Sequence, residues 1–470
     1  MTTRTPTPRT RARRDQLTAI AAGLFARDGY HNVTVGDIAA AAGLSGPAIY
    51  RHFPGKQALL AEVVRSGFDE MAGVLAADLA GTSDAAERLR RTYRDLAAFV
   101  TRRPEFGVMW RREYRHLAPE DAAELAKRMG EASDAVVAEL RVLRPELEPA
   151  DAELVAWAAL SVMGSVSDHR VRLPRAAFEE LLAGIAMDVV SVEFGAGTES
   201  VDNRPQKIDA QDRKEQILAA AARLFWDRGY HEVTLDEIGA AAGIAGPSVY
   251  SHFAGKTDLL RTITERIGEL LRRDLVASDA AAQERVAQER AEKASGSVAA
   301  ASVPELALDS AAEQLLEPAS AAAASAPDPA ASIASVSAPA PDSAAAALAI
   351  TATATLADLA TRYVTTVLSS RDLVAAYFTE GHNLPDRDRA ETRRFQRAYA
   401  AHWSALLASA DPGASPEEIR IRVLAAFAVV NDTARTRRLL ERPGLAGRLR
   451  ALMLAVLLTP VSGARDVNRR

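Results

Sequence analysis

The 470-residue sequence contains no cysteine, and it has no long uncharged apolar run. The absence of cysteine excludes disulfides, cysteine–zinc sites and thiol catalysis together. A membrane-spanning helix needs roughly 18 apolar residues, and the longest candidate, residues 451–459, has half that length. The sequence therefore predicts a cytoplasmic protein with no membrane partner.

Positive charge is not in excess either. With 57 Lys and Arg against 62 Asp and Glu, the formal net charge is −5. A protein that coats nucleic acid without selectivity would be basic throughout, so that class is excluded. Local DNA binding is not excluded, because it depends on where the positive charges lie.

The sequence motifs of common enzymes are missing as well. There is no Gly-rich phosphate loop, nucleophile elbow or His-Glu-x-x-His zinc motif. Glu113 and His116 have the spacing of ligands in carboxylate bundles, but such sites need at least four ligands, and a second Glu-x-x-His does not occur. We therefore expect no catalytic residue, no metal and no cofactor.

What the sequence does contain is one motif written twice. When residues 20–60 are set against residues 220–260, about 23 of the 41 positions are identical. A self-match at a fixed offset indicates an internal repeat. This one is too long for a solenoid unit, so it predicts a duplicated domain.

In each copy the residues predict a helix, a second helix with an N-terminal cap, and a tight turn. Apolar residues at spacings of three and four, from Leu17 to Phe25, form one helical stripe. Thr34, with an acid three residues later, predicts a capping box. Gly43 fits a turn that requires positive φ. The second copy repeats the pattern 200 positions further on.

A short helix follows the turn. Pro47 lies near its first turn, where the missing N–H costs little. Ile49 is predicted to point inward, and Tyr50 and Arg51 outward. Lys56 then begins the next helix, whose N-terminal amides suit a phosphate. A helix pair of this kind places its second helix in the major groove of DNA.

The run T-x-x-[DE]-I-x-A-A-A-G-x-x-G-P-x-[IV]-Y-x-H-F-x-G-K-x-x-L-L occurs in both copies and resembles the TetR family of bacterial regulators over about 45 residues each. The resemblance implies an all-α chain of two units. Each unit would have a three-helix helix-turn-helix head and a helical-bundle domain for ligand binding and dimerisation. It also implies homodimers joined by a four-helix bundle. The DNA contacts that it implies fall on Thr34, Ser45, Gly46, Pro47, Ala48, Tyr50, Arg51, His52, Lys56, Thr234, Gly246, Pro247, Ser248, Tyr250, Ser251, His252 and Lys256.

The two heads differ where base contacts are expected. Arg51 can make a bidentate contact to guanine, whereas Ser251 cannot. Ala48 suits a thymine methyl group, whereas Ser248 carries a hydroxyl. We therefore expect two unlike half-sites instead of a perfect palindrome.

Other residues of the heads have more than one interpretation. His52 and His252 would pack the helix junction or contact phosphate, and both roles are favoured over base recognition. Tyr50 and Tyr250 are favoured as phosphate contacts over core residues. The arginine-rich residues 1–14 contain no acid and would lie along phosphates or enter a minor groove. A transit peptide is the alternative interpretation of this segment.

The composition also predicts domain boundaries. Residues 294–350 contain no Lys or Arg and are dominated by Ala, Ser and Pro, which predicts a disordered insertion; a docking segment is the alternative. Residues 113–117 align with 380–384, an offset of 267. The predicted order is a disordered basic arm (1–12), the first head (13–60), the first helical domain (61–195), a linker (196–208), the second head (209–260), and the second helical domain (261–293 and 351–462).

The helical domains carry weaker signals. One set of apolar residues in each unit is suited to pack against the other set, which would make the chain a covalent pseudo-dimer. Further association of two such chains into a homodimer stays open. The sets are Leu154, Trp157, Ala158 and Val162 in the first unit, and Ile421, Leu424, Phe427 and Ala428 in the second. A second group of side chains forms either core or a pocket for a hydrophobic small-molecule effector: Phe106, Met109, Trp110, Tyr114, His116, Tyr377, Phe378 and His382. A third group has two interpretations, solvent-exposed residues at helix ends or polar residues at the ends of that pocket, and the first is favoured: Asp168, His169, Asn431 and Asp432.

Taken with the resemblance, these features predict a sequence-specific regulator that binds double-stranded operator DNA, a repressor released by its effector. The alternative is an architectural DNA-binding protein with a packed, pocketless bundle and no effector.

Overall fold

A computed structural model describes residues 8–79, 84–195, 212–296 and 341–459. In these ranges the chain forms helices and loops without a strand, which confirms the predicted all-α class. The helices of the first unit are α1 (Pro8–Asp28), α2 (Val35–Ala41), α3 (Gly46–Ile49), α4 (Lys56–Leu79), α5 (Ala85–Arg102), α6 (Phe106–Arg111), α7 (Pro119–Leu143), α8 (Pro149–Gly164) and α9 (Arg175–Val190).

The second unit repeats this order. Its helices are α10 (Arg213–Arg228), α11 (Leu235–Ala241), α12 (Gly246–Val249), α13 (Lys256–Gly296), α14 (Pro341–Ser369), α15 (Arg371–Glu380), α16 (Asp386–Ala410), α17 (Pro416–Ala434), α18 (Arg437–Leu440) and α19 (Leu445–Leu458). Short 3-10 turns follow α6, α8 and α15 at Glu113–His116, Ser165–Asp168 and Gly381–Asn383. Throughout the described ranges, every helix is too short or too polar to cross a bilayer.

Two predicted disordered segments are helical in part. α1 begins at Pro8, so the prediction of a disordered arm was wrong for residues 8–12. The arginines there do not interrupt the helix, because arginine is a good helix former. Residues 294–296 end α13 and residues 341–350 begin α14. In residues 341–350 an Ala-rich run with no Gly favours helix. Residues 1–7, the predicted linker at 196–208, and 297–340 of the predicted insertion lie outside the described residues.

Each head is a three-helix unit built as the sequence predicts. The stripe from Leu17 to Phe25 is buried, and its counterpart in α10 lies in a separate core that belongs to the second head. Both capping boxes form, with Thr34 and Thr234 as N-caps of α2 and α11. The turn between α2 and α3 passes through Gly43 at a φ of +66°, which only glycine adopts without strain.

The helical domains also correspond, at the offset of 267. α16 covers the positions of α7 at this offset, and α17 begins at the position equivalent to the start of α8. The buried carboxylates of Glu113 and Glu380 accept equivalent hydrogen bonds in the two units. Glu113 accepts the backbone N–H of Tyr30 at 2.9 Å, and Glu380 accepts that of Tyr230 at 3.3 Å. Each carboxylate thus joins the loop after the first helix of a head to a helical domain.

The two units meet through four helices. α8 packs against α17, and α9 packs against α19. Leu154, Ala158 and Val162 are buried on one side, and Ile421 and Ala428 on the other. Of these, Leu154, Ala158, Val162 and Ile421 belong to one core that spans both units. The ends of this contact carry ion pairs, with the Arg448 guanidinium 2.5 Å from the Asp151 carboxylate and the Arg438 guanidinium 3.0 Å from the Glu153 carboxylate.

Candidate functional site

The third helix of each head, α3 or α12, is the recognition helix of the predicted motif, and it presents the predicted face to solvent. Ile49 and Val249 are fully buried, whereas Tyr50 and Tyr250 are 58% and 62% exposed. Arg51, Ser248 and Ser251 are also exposed, and Ala48 is half-buried. A large aromatic side chain left in solvent beside polar neighbours is typical of a binding surface. Contact of these side chains with DNA stays a prediction.

The lysines at the start of α4 and α13 use their ammonium groups for hydrogen bonds within the heads. Lys56 Nζ donates to the carbonyls of Tyr30 and Val33, each at 2.9 Å, and lies 4.2 Å from the centre of the Tyr30 ring. Lys256 Nζ donates to the Tyr230 carbonyl at 2.8 Å. Burial lowers the pKa of both ammonium groups. Each lysine therefore holds the loop between the first two helices of its head against the helix that the lysine begins, α4 or α13. The sequence did not indicate this role.

The junction behind the recognition helix differs between the heads. Phe53 and Phe253 are buried. In the first head the Arg14 guanidinium lies 4.3 Å from the Phe53 ring centre and donates to the His52 carbonyl at 2.5 Å. His52 is half-buried by this packing, whereas His252 is exposed. One arginine of the predicted DNA-binding arm is thus part of the head itself.

The recognition turn is also packed more tightly in the second head. A Cβ atom added to Gly246 would lie 1.7 Å from the Asp236 carboxylate and 2.8 Å from its Cα. A Cβ atom added to Gly46 would meet nothing within 4 Å. The difference arises because Gly239 replaces Ala39 and lets α11 approach α12 closely.

We expect Gly246→Ala to lower the free energy of unfolding by about 1–3 kcal/mol, the usual cost of inserting a carbon into packed space. Gly46→Ala is the matched control and should be neutral or slightly stabilising, because alanine favours helix over glycine. Urea unfolding of the two variants checks this. Equal losses would contradict the difference in packing between the heads.

The two heads meet at a group of histidines. The His31 and His231 rings lie 4.6 Å apart, and His31 Nε2 is 3.2 Å from His116 Nδ1. His231 Nε2 is 2.9 Å from the Asn383 side-chain oxygen. The sequence signal was the repeated Gly-Tyr-His at the end of each first helix, but nothing in it showed that the two copies meet.

Each helical domain also touches the opposite head. A Cβ atom added to Gly29 would lie only 2.4 Å from the His382 ring, so this ring packs directly against the glycine. Arg115 lies beside Gly229 and pairs with Glu380 at 2.5 Å. His116 and His382, which were predicted to line the pocket, therefore lie at the junction between the heads, and that prediction was wrong for both.

Acid should loosen this junction. Burial, reinforced by neighbouring arginines, lowers the pKa of His116 to about 3 and that of His382 to about 2. An unfolded histidine takes up its proton near pH 6.5. The unfolded chain therefore binds protons that the folded chain does not, so stability is full above about pH 6.5 and falls as the pH drops towards the folded values.

The loss is expected to be about 1.4 kcal/mol per pH unit for each histidine below pH 6. Urea unfolding between pH 7 and pH 5 measures it. His116→Asn copies the second unit's Asn383 and removes one of the titrating groups, so its slope against pH should be shallower. An unchanged slope would exclude His116 as a source of the acid sensitivity.

A cavity of about 490 Å³ lies inside the first helical domain. Its walls come from α4 to α8 and are largely apolar. Three of the predicted pocket residues, Phe106, Trp110 and Tyr114, line it. Met109 is buried outside the lining, so it follows the core alternative.

The predicted pocket residues of the second unit are placed differently. Tyr377 is buried, Phe378 is 40% exposed, and neither lines this cavity. The rotation of α15 decides this, because it turns Phe378 towards solvent, with the Arg435 guanidinium 5.9 Å from its ring centre. Of the two alternatives that the sequence left open, Tyr377 therefore follows the core alternative, and Phe378 follows neither core nor the lining of this cavity.

The second unit closes one side of the cavity. Trp226 of α10 and Thr379, Asp432, Arg435, Thr436 and Arg438 belong to its lining. Arg111 of the first unit pairs with Asp432 at 3.0 Å and with Asp168 at 2.9 Å. Asp432 and Asn431 are buried, so the preference for solvent-exposed helix ends was wrong for these two residues. Within the described residues, no group of three His, Cys, Asp or Glu is arranged to hold a metal ion.

Comparison with known proteins gives the same repeated domain. The family model described as "Bacterial regulatory proteins, tetR family" matches residues 17–63 and again 217–263. The transcriptional activator FasR of Mycolicibacterium smegmatis is 37% identical over 65 residues, which are 14% of this chain and 30% of FasR. The regulator AcrR of Shigella flexneri is 41% identical over 71 residues, 14% of this chain and 33% of AcrR. The chain thus matches about a third of the length of these curated relatives.

Solved structures align with part of the chain. The ketosteroid regulator KstR2 of Mycobacterium tuberculosis has 23% identity and a TM-score of 0.35, and the alignment covers 38% of this chain and 93% of KstR2. A TetR-family regulator of Bordetella parapertussis 12822 has 20% identity and a TM-score of 0.35, over 37% of this chain and 94% of the other. The curated relatives are named as transcriptional regulators and not as enzymes. Both matches fall on the predicted heads, so the chain carries twice the domain that the tetR family model of bacterial regulatory proteins describes.

Proposed function

We propose that this chain is a sequence-specific DNA-binding transcriptional regulator that acts as a covalent pseudo-dimer, and that it is a repressor released by a hydrophobic small molecule. The observation that carries the proposal is the pairing of two solvent-facing recognition helices, α3 and α12, with a helical interface between the units that bear them. A helix-turn-helix dimer places its two recognition helices in successive major grooves. Here one polypeptide supplies both.

The family's DNA contacts carry over to the residues of α3 and α12 and their flanks that the sequence indicates. Tyr50 and Tyr250 would contact phosphates, and Arg51 would contact a base. Thr34 and Thr234 are exposed at the N-termini of α2 and α11, where backbone amides favour a phosphate. Lys56 and Lys256 would reach DNA only if their ammonium groups gave up the carbonyls that they now bind.

The effector site that we propose is the cavity of the first unit. Its volume of about 490 Å³ falls within the range of roughly 300–1,000 Å³ that is typical of small-molecule sites. Met71 and Leu75 of α4 line it, and α4 begins at the first head with Lys56. A ligand that binds one position of α4 more tightly than another would shift the head between DNA-binding and released states.

A packed bundle without a cavity would favour the architectural alternative, a DNA-binding protein with no effector. The cavity in the first unit favours the sensor instead. The two functions differ in one measurable respect, because an architectural protein would keep its DNA affinity whatever apolar ligand occupies the bundle.

Light scattering of the full chain, alone and bound to duplex DNA from its own promoter, tests the pseudo-dimer. We expect one chain per duplex. Two chains per duplex would contradict the covalent pseudo-dimer and imply four heads on a longer operator. The affinity should also fall steeply between about 50 and 200 mM salt, because phosphate contacts release counterions. Absent or salt-insensitive binding would contradict DNA recognition altogether.

A further inference from the structure

The two helical domains can be compared position by position because their helices share the offset of 267. At four of the positions that line the cavity in the first unit, the second unit carries larger side chains that contact one another. Leu96, Ala132, Leu160 and Gly164 line the cavity, and their counterparts are Tyr363, Tyr399, Phe427 and Asn431. Tyrosine stands in place of Leu96 and Ala132 and adds a phenol ring, and asparagine stands in place of Gly164 and adds a side-chain amide.

The larger side chains fill the second unit's interior. The Phe427 ring centre lies 5.0 Å from that of Tyr363, 5.7 Å from that of Tyr399 and 5.2 Å from that of Trp403. Tyr363, Tyr399 and Trp403 are all buried. The Tyr363 hydroxyl donates to the side-chain oxygen of Asn431 at 3.1 Å. Rings at these separations are in contact, so in the second unit aromatic side chains meet at three positions whose equivalents border the open cavity in the first.

The cavity of the first unit has a direct connection to the second head. Trp226 lies near the end of α10, the first helix of that head, and lines the cavity. Its ring lies 5.3 Å from the Arg437 guanidinium, and Arg437 also pairs with the neighbouring Asp227. The equivalent position in the first head is Ala26, whose carbonyl accepts from Arg112 at 2.8 Å.

We propose that the chain has a single effector site, in the first unit, and that its occupant contacts the second DNA-binding head through Trp226. This rests on the proposed effector function. The occupant is a mostly apolar molecule that fits about 490 Å³. It touches α4, which leads to the first head, and α10, which belongs to the second. One bound molecule therefore acts on both heads, and the second helical domain serves as a rigid partner.

Titration of the full chain with 8-anilinonaphthalene-1-sulfonate, an apolar fluorescent probe, counts the sites. We expect one probe per chain. The double variant Leu96→Tyr with Ala132→Tyr gives the first unit the side chains of the second, and it should lower probe affinity at least tenfold. The matched double variant Tyr363→Leu with Tyr399→Ala makes the reciprocal change and should leave the first site's affinity unchanged. Two sites in the unmodified chain, or none, would overturn the proposal.

Tryptophan fluorescence tests the contact with the second head. Trp110, Trp157 and Trp226 line the cavity, whereas Trp403 is buried in the filled interior of the second unit. Trp226→Phe should reduce energy transfer from protein to probe while the other tryptophans still transfer. Trp403→Phe is the control and should change the transfer less. Equal changes in the two variants would overturn the contact through Trp226.

The DNA affinity of the probe-loaded chain separates this proposal from the proposed function. One site whose occupation leaves DNA affinity unchanged would contradict release by this probe but keep the single site. Two sites whose occupation releases DNA would keep the repressor-sensor function and overturn the single site. We expect one site, with at least a tenfold loss of DNA affinity on saturation.

Discussion

Replacing Glu113 with alanine should destabilise the protein by about 3–5 kcal/mol, the usual cost of removing one partner from a buried ion pair. Glu113 is fully buried. Its carboxylate pairs with Arg112 and accepts the Tyr30 backbone N–H at 2.9 Å. Arg112 in turn donates to the Phe25 and Ala26 carbonyls at the end of α1, each at 2.8 Å. Without the carboxylate, a largely buried guanidinium loses its opposite charge, and the Tyr30 backbone amide loses its acceptor.

Urea unfolding measures this loss, and two variants define its origin. Glu131→Ala removes an exposed carboxylate that lies 3.8 Å from Lys127 on α7, and it should cost less than about 0.5 kcal/mol. Glu113→Gln keeps a side-chain oxygen for the Tyr30 amide but not the charge, so its loss should lie between the two. If Glu113→Ala cost no more than Glu131→Ala, the carboxylate would not be what joins the head to the helical domain.

Glu113 also shows how much the sequence could predict. The alignment of residues 113–117 with 380–384 came from a short resemblance in sequence, and Glu380 accepts the Tyr230 amide as Glu113 accepts that of Tyr30. The heads were predicted well because their signals are local. A capping threonine, a glycine turn and an apolar stripe each act within a few residues, so the sequence records them directly.

The junction between the heads could not be predicted in the same way. His31 and His116 are 85 positions apart, and their contact depends on how two helical domains pack. Periodicity identifies α15 as a helix but leaves its rotation open, and that rotation places Phe378 in solvent. The cavity also depends on differences in side-chain volume, such as Ala132 against Tyr399. Those differences acquire meaning only once the offset between the helical domains is known.

Ser251→Arg should make the two DNA half-sites more alike. Arg51 and Ser251 occupy the same position on the exposed faces of α3 and α12, and the helices share the pattern Gly-Pro-x-[IV]-Tyr. A bidentate arginine contact to guanine contributes about 1–3 kcal/mol of discrimination. The variant should therefore gain roughly 10- to 100-fold preference for guanine at one position of the second half-site. Arg51→Ser should lose the same preference in the first half-site.

Selection of binding sequences from a random duplex pool checks both changes, because the pool contains every half-site that the heads could prefer. The unmodified chain should select two unlike half-sites, Ser251→Arg a more symmetrical pair, and Arg51→Ser a pair that has lost the guanine. Arg90→Ser removes the same charge from α5, where Arg90 pairs with Glu87 at 2.6 Å, and should select the unmodified sites. A uniform change in affinity with unchanged base preferences would mean that residue 51 contacts phosphate. The unlike half-sites would then have to come from other differences between the heads, such as Ser45 against Ala245 and Ala48 against Ser248, or from the shape of the DNA.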